Sequence, residues 1–232
     1  MNPMLDDRLL SAAKLVRAGA VLADIGTDHG YLPVFLLREG RISRAVLSDI
    51  NEGPLSSADR HAKEAGLRHL MELVLTDGAK GLEGRGITDY SICGMGGELI
   101  AEIIAASAHL FDTGVRLILQ PMTKQEHLRI RLGEMGFRTV AERYTTADGK
   151  YYLTIAAEYD GVTRSVSLVD AYLGSSEVVE SDASAYVGYL ECKLAGLVRA
   201  RDGKRLGGAM ADAEDELCRA IDDRLSQMRK NT

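Results

Sequence analysis

The sequence predicts an α/β fold, with a seven-stranded and mainly parallel sheet followed by a C-terminal α-helical appendage. Three observations predict this fold class. Short apolar segments alternate with segments of helical periodicity over residues 20–135, as in parallel sheets whose strands are joined by helices. Two segments rich in β-branched and aromatic residues follow at 137–145 and 151–159 and predict an antiparallel hairpin. Apolar residues at three-and-four spacing after residue 185 predict the helical appendage.

The predicted elements follow one another in a regular order. An amphipathic helix over 5–18 comes first. The parallel strands are expected at 20–24, 45–49, 72–75, 89–93 and 115–119. The helices that follow them are expected at 31–38, 54–65, 99–108 and 125–135. Gly40, Gly66 and Gly136 come just after three of these helices, where glycine is preferred because it adopts positive φ readily.

The chain after residue 160 is expected to form a second unit. Residues 160–182 contain several glycines, serines and acids and are interpreted as a connection. Two amphipathic helices, around 186–197 and 210–228, are expected to pair as a helical hairpin through a glycine-rich turn at 202–208. We therefore predict one domain at 1–160 and a coiled-coil-like helical hairpin domain at 161–232.

Composition limits the classes of protein to which the chain can belong. The net charge of -6 argues against a uniformly basic nucleic-acid-binding surface but allows a local basic patch. The three cysteines lack CxxC spacing, so neither a disulfide framework nor a zinc site is expected. No apolar run approaches the roughly 18 residues of a spanning helix, and the N-terminus lacks a signal-peptide pattern. We expect a soluble cytoplasmic protein that does not bind membranes.

Five parallel strands and a closing hairpin are the outline of the Rossmann-like class I methyltransferase fold. The segment DIGTDHGYLP at 24–33 predicts a strand end, a tight turn and a helix start, where open α/β sheets bind nucleotide-like ligands. A dinucleotide-binding loop would read G-x-G-x-x-G, but here Asp28 lies between Gly26 and Gly30 and would repel a pyrophosphate. The carboxylates of Asp24 and Asp28 instead suit the cationic ammonium and sulfonium groups of S-adenosyl-L-methionine.

Acidic residues also follow the second and third predicted strands. Asp49 is placed to accept hydrogen bonds from ribose hydroxyls, and Asp77 from the exocyclic amine of an adenine. An acid after a strand can equally be a helix N-cap or a turn former, but the coincidence at three strand ends favours a ligand. The predicted cofactor-binding residues are Asp24, Gly26, Thr27, Gly30, Asp49, Ile50, Asp77, Gly78 and Gly94.

The predicted catalytic residues are Asp28, His29 and Met95. Met95 lies in the sequence Gly-Met-Gly-Gly at 94–97, where methyltransferases of this fold meet their acceptor. The glycines leave room for an acceptor, although a tight turn that needs glycine for packing would look the same. His29 is interpreted as a general base, a metal ligand or a spacer. No metal is expected, and the other histidines are interpreted as ordinary surface or helix-face residues.

The motif set resembles the bacterial tRNA adenine-22 N1-methyltransferase family over about residues 5–160. It consists of DIGTDHGYLP at 24–33, SDINEGPL at 48–55, DG at 77–78, GMGG at 94–97 and LQP at 119–121. The resemblance implies S-adenosyl-L-methionine as methyl donor and N1 of an adenine in the D-loop region of tRNA as acceptor. It also implies a methyltransferase domain followed by a helical domain, which agrees with the prediction above.

The chemistry implied by this resemblance suits the turn at 24–33. N1 of adenine has an in-plane lone pair, so the reaction needs positioning and a favourable field, to which Asp28 can contribute. The nucleotide must be unpaired or flipped, against Met95 or Tyr31. Candidate contacts to the tRNA backbone are Arg8, Lys14, Arg17, Lys124, Arg129, Arg131, Arg199, Arg201, Lys204 and Arg205.

Three alternatives stay open at this point. The fold could serve another RNA or a small-molecule acceptor, or the chain could be a non-catalytic adaptor that only keeps the cofactor pocket. A dehydrogenase is the least favoured. No protein partner is required by the sequence, and a monomer is expected with a dimer left open.

Overall fold

The computed structural model describes residues 5–174 and 183–230. The strands are β1 (Ala20–Ile25), β2 (Ile42–Asp49), β3 (Met71–Leu75), β4 (Asp89–Gly96), β5 (Arg116–Thr123), β6 (Phe137–Ala147) and β7 (Lys150–Tyr159). The helices are α1 (Asp7–Leu15), α2 (Tyr31–Arg38), α3 (Glu52–Glu64), α4 (Gly97–Ala105), α5 (Gln125–Glu134), α6 (Leu168–Leu173), α7 (Ala183–Leu206) and α8 (Asp212–Lys230). The part of the predicted connection at 175–182 lies outside the described residues.

The seven strands form one sheet in the order β3-β2-β1-β4-β5-β7-β6. The first five strands are parallel, and β7 lies antiparallel between β5 and β6. Asp148 and Gly149 connect β6 to β7 with φ values of 49° and 70°, as a two-residue turn of type I′ requires. The predicted fold class, with an antiparallel hairpin that closes the sheet, is confirmed.

Helices cover both faces of the sheet. Successive residues of β5 belong to different hydrophobic clusters, because side chains alternate across a strand. Leu117 and Leu119 pack on the side of α4 and α5, whereas Ile118 packs on the side of α1, α2 and α3. The sheet is thus buried between two helical layers, and its loops at the carboxyl ends of the parallel strands are left to form a site. None of the helices in the two described ranges is long and apolar enough to cross a membrane.

The C-terminal region differs from its prediction in two places. Helix α6 lies inside the segment interpreted as a connection. Ser167 caps it by accepting a hydrogen bond from the Asp170 amide at 3.0 Å. The sequence did not predict this helix because one and a half turns are too short to show helical periodicity. Helix α7 continues through Gly203 to Leu206, so the predicted turn at 202–208 is wrong in its first part. Ion pairs Lys204–Glu214 and Arg205–Asp215 join the last turn of α7 to α8, offsetting the roughly 1 kcal/mol cost of a helical glycine.

The C-terminal helices share a core with the sheet. Leu190 of α7 and Ile221 of α8 are fully buried in the cluster that also contains Leu128 of α5. At the same boundary the buried Arg129 donates to Glu142 at 2.6 Å and to the carbonyl of Ala171 at 2.6 Å. Lys193 of α7 forms an ion pair with Glu126 of α5 at 3.1 Å, so α7 is held against α5 by both apolar and ionic contacts. The division into two domains at residue 160 stays a prediction.

Candidate active site

The loops after β1, β2 and β3 are tied together at one edge of the sheet. The amides of Gly26 and Thr27 both donate to the carbonyl of Ser48, at 2.8 and 3.0 Å. The hydroxyl of Ser48 in turn donates to the carbonyl of Gly78 at 3.1 Å. Because parallel strands end at a common edge, the three loops that were predicted to hold the cofactor do lie side by side.

A cavity of about 520 Å³ opens at this edge between β1 and β4, where the strand order reverses. This is the topological switch point, at which open α/β sheets bind their ligands. The predicted site residues that line it are Asp24, Gly26, Asp28, His29, Gly30, Gly94 and Met95. The cavity therefore combines the predicted donor-binding turn with the predicted acceptor segment.

The other predicted cofactor-binding residues lie outside this cavity. Asp77 and Gly78 line a separate cavity of about 160 Å³, and the carboxylate of Asp77 is paired with Lys80 at 2.5 Å. Asp49 accepts a hydrogen bond from the Asn51 amide at 2.8 Å. Ile50 is 67% exposed, which is unusual for a large apolar side chain and leaves an uncovered apolar surface at the end of β2.

Asp24 is the buried anion of the cavity. It is the residue before the last of β1 and has only 8% of its surface exposed, and its carboxylate accepts a hydrogen bond of 2.6 Å from the Ser91 hydroxyl. Burial raises the pKa of Asp24, and the charge of Asp49 adds to this effect. A buried carboxylate with few partners is compensated when a cationic group of a ligand approaches it.

Arg8 is the cation of the cavity, and the sequence suggested it only as a contact for the tRNA backbone. Its Nη1 donates to Oε1 of Gln120 at 2.9 Å, and the amide of Gly94 donates to the same oxygen at 3.0 Å. Gln120 is fully buried within β5. Nη2 of Arg8 also pairs with Asp6, which lies 3.3 Å away and lines the cavity as well. The cavity thus presents a buried anion at Asp24 and a partly paired cation at Arg8, a pattern that complements the zwitterionic end of an amino acid.

Asp28 and His29 lie at the open side of the cavity. The side chain of Asp28 is 84% exposed, and its Oδ1 lies 3.3 Å from Nε2 of His29. Nδ1 of His29 is buried and has no hydrogen-bond partner among the described residues. A solvated carboxylate therefore lies at the mouth of the cavity, beside an imidazole whose second nitrogen is buried and unused.

Strand β4 extends into the Gly-Met-Gly-Gly segment, beyond its predicted end. Strand β4 does not end at residue 93 but continues to Gly96, with irregular pairing to β5 on both sides of Met95. A Cβ on Gly97 would overlap with the carbonyl of Lys124, so this glycine is needed for packing. Gly94 lines the cavity and has a φ of 82°, and a Cβ there would meet Nη1 of Arg8 at 3.8 Å.

Several candidate tRNA contacts have other roles. Arg17 donates through Nε to the buried Asp89 at 2.8 Å, and Arg129 is itself buried, so both stabilise the fold. Arg131, Arg201, Lys204 and Arg205 are paired with neighbouring acids. Lys14, Lys124 and Arg199 are exposed and remain candidate contacts. The pairings of Arg17, Arg129, Lys204 and Arg205 join different elements, so residue spacing could not have found them, whereas Arg131 and Arg201 pair with acids of their own helices.

Comparison with known proteins agrees with the fold class and the family resemblance. The methyltransferase domain family matches residues 5–155. The tRNA (adenine(22)-N(1))-methyltransferase of Bacillus subtilis (strain 168) is 34% identical over 177 residues, which cover 73% of this chain and 74% of that protein.

Two solved structures are similar over nearly the whole chain. Streptococcus pneumoniae Sp1610 in complex with S-adenosyl-L-methionine has a TM-score of 0.82 and 30% identity, and the match covers 96% of this chain and 100% of that one. M. capricolum TrmK in complex with S-adenosyl-homocysteine has a TM-score of 0.74 and 26% identity, with 98% and 97% covered. These matches confirm the resemblance found in the sequence. The chain belongs to the tRNA (adenine(22)-N(1))-methyltransferase family.

Proposed function

We propose that the protein transfers a methyl group from S-adenosyl-L-methionine to N1 of the adenine at position 22 of tRNA. The observation that carries the proposal is the cavity at the switch point of the sheet, with Asp24 and Arg8 as fixed opposite charges and Asp28 at its mouth. The B. subtilis relative is named for this reaction, and Sp1610 binds this donor.

The amino-acid end of the donor is assigned to Asp24 and Arg8. The Asp24 carboxylate suits an ammonium group, and the ligand relieves the desolvation of that carboxylate. The guanidinium of Arg8 suits a carboxylate, and its bond to Gln120 holds it towards the cavity before the donor binds. This arrangement favours a zwitterion and disfavours the pyrophosphate of a dinucleotide. A dehydrogenase is therefore the least favoured of the alternative functions.

The nucleoside end of the donor is assigned to the ends of β2 and β3. Asp49 can accept from ribose hydroxyls while it keeps its bond to the Asn51 amide. The exposed side chain of Ile50 provides an apolar surface for a purine ring. Lys80 pairs with Oδ2 of Asp77. The other carboxylate oxygen is left to accept a hydrogen bond from the exocyclic amine of the adenine.

The methyl acceptor is assigned to the side of Asp28, His29 and Met95. When bound, S-adenosyl-L-methionine supplies an electrophilic methyl group, and the S–C bond breaks as the lone pair of adenine N1 forms the new N–C bond. The methylated ring is cationic, so the carboxylate of Asp28 stabilises the charge that develops on it. His29 orients that carboxylate through Nε2. The reaction needs no base, since N1 carries no proton.

A purified-protein assay tests the proposal. The protein is incubated with donor labelled in the methyl group and with an unmodified tRNA transcript, and the labelled nucleoside is identified and mapped. We expect 1-methyladenosine at position 22, and no label in a transcript that carries guanine there. Because the assay contains no other protein, it also tests whether a partner is required. Label at another nucleotide, or label only on a small molecule, would contradict the proposal.

A further inference from the structure

His61 of α3 lies behind the cavity wall but contacts two residues that line the cavity. Its Nδ1 donates a hydrogen bond to the carbonyl of His29 at 2.9 Å. A carbonyl oxygen can only accept, so Nδ1 carries the hydrogen of this bond. The imidazole ring also stacks on Tyr31, with the ring centroids 5.0 Å apart and the planes inclined by 23°. His61 therefore holds the residues on both sides of Gly30.

The close approach of α3 to this turn has a clear cause. A Cβ on Gly30 would stand 3.0 Å from Cβ of Ala58, so only glycine allows α3 to come so near. Residues three apart lie on the same helix face, and His61 is three residues after Ala58. Gly30 thus brings His61 within reach of the neighbouring His29 and Tyr31.

The three rings form one cluster at the mouth of the cavity. The centroid of His29 lies 5.3 Å from that of Tyr31 and 5.8 Å from that of His61. Tyr31 is 36% exposed and lines the cavity, so its ring is available to a ligand. Unpaired bases bind proteins by stacking on such aromatic surfaces, and a cationic methylated base gains further from the π face.

Packing of α3 does not by itself require the imidazole. The buried residues of this helix are Leu55, Ala58 and Ala62, whereas His61 is half-buried. Its two specific contacts both lead to the cavity wall. The presence of an imidazole at position 61 is therefore better explained by its contacts with the cavity wall than by the packing of α3.

We propose that His61 is a positioning residue for the methyl acceptor. Its ring supports Tyr31 as the surface on which the target adenine stacks, and its hydrogen bond fixes the turn that carries Asp28 and His29. This proposal rests on the proposed function and extends it to the way in which the acceptor base is held.

Two substitutions separate the two contacts of His61. His61→Asn keeps an N–H donor near the position of Nδ1 but removes the ring. His61→Phe keeps a ring for Tyr31 but removes the donor. We expect His61→Asn to lower kcat/KM for tRNA by about tenfold, as loss of one stacking contact would. We expect a smaller loss for His61→Phe, and affinity for S-adenosyl-homocysteine within about twofold of wild type for both, because the ring stacks on the acceptor side.

His69→Ala is the matched control, since His69 is exposed in the short helical turn after α3. It should leave kcat/KM and donor affinity unchanged. If His61→Asn is impaired and His61→Phe is not, the ring contact alone carries the effect, and the role of the hydrogen bond in the proposal is wrong. If kcat/KM for tRNA is unchanged in both His61 variants, the positioning role is wrong. Parallel losses of donor affinity and thermal stability would show a merely structural role and would also overturn it.

A fluorescence experiment detects the stacking directly. The chain contains no tryptophan, so Tyr31→Trp introduces a single indole at the proposed stacking surface. Unmodified tRNA should quench its emission, a transcript with a pyrimidine at position 22 should quench it less, and adding His61→Asn should reduce the quenching. Equal quenching by both transcripts would contradict stacking of the target base. Failure of the wild-type protein to form 1-methyladenosine would instead refute the proposed function, so the two failures are distinguishable.

Discussion

The methyl group of Met95 lies directly over Gly26, in the place that a Cβ on Gly26 would occupy. Gly26 belongs to the turn after β1 and has a φ of 70°, whereas Met95 belongs to the irregular end of β4. The donor side and the acceptor side of the cavity therefore touch at this pair. A change at either residue is expected to alter both sides.

Gly26→Ala should strongly weaken donor binding while leaving the protein folded. The new methyl group would displace Met95 into the cavity, and the positive φ would add strain of about 1 kcal/mol. We expect at least a tenfold loss of affinity for S-adenosyl-homocysteine, measured by titration calorimetry. The matched control is Gly19→Ala: Gly19 has a φ of 77°, but a Cβ there would meet no other atom of the described ranges within 4 Å. Equal affinities for the two variants would show that Met95 simply moves aside.

Asp24→Asn should stabilise the fold and weaken donor binding. Burial raises the pKa of Asp24 above its value in the unfolded chain, so the folded protein binds more protons than the unfolded chain between the two pKa values. The free energy of unfolding therefore falls as pH rises through that range, and the destabilisation persists above it. The amide removes this effect, so we expect a higher Tm at neutral pH.

The same substitution should remove a pH dependence of binding. The ammonium of the donor requires ionised Asp24, so wild-type affinity should fall as pH decreases through the raised pKa. In Asp24→Asn the affinity should be lower by about tenfold or more, as for a lost charge-assisted hydrogen bond, and flatter with pH. Calorimetry across a pH series tests both points. A variant that binds as tightly as wild type would exclude Asp24 from donor recognition.

Arg8→Ala should raise the KM for S-adenosyl-L-methionine about tenfold with little change in Tm. The guanidinium supplies one charge-assisted hydrogen bond, worth roughly 1.5–3 kcal/mol. Gln120 keeps its bond to the Gly94 amide, so the fold retains a partner for its buried oxygen. Lys14→Ala, on the exposed side of α1, is the control. If both substitutions affect tRNA binding alone, Arg8 contacts RNA and does not bind the donor.

Arg129→Met should destabilise the protein by about 3–5 kcal/mol, because it leaves the carboxylate of Glu142 buried without its cation. The pair is almost completely buried, with side-chain exposures of 5% and 1%. Urea unfolding measures the loss. The double variant Arg129→Met/Glu142→Leu should recover most of it, and KM for tRNA should be unchanged in both. If Arg129→Met raised the KM for tRNA but not the KM for the donor, Arg129 would contact RNA after all.

The alternation of strands and helices was predictable because parallel strands buried on both faces form short apolar segments. The predicted order of elements and the inserted hairpin are confirmed. The convergence of the loops after β1, β2 and β3 followed from the same pattern, since parallel strands end at one edge. Short helix α6 and the extension of α7 past Gly203 were not predictable, because contacts with other elements outweigh their weak local preferences.

The sequence by itself determined the fold class, the family and the turn at 24–33, because these depend on local patterning and on motifs within single loops. Only the tertiary structure decided which charged and aromatic residues face the cavity. Arg8 meets Gln120 across 112 residues of sequence, and His61 meets Tyr31 from a different helix. Such pairs depend on helix packing across the sheet edge, which residue spacing along one chain does not encode.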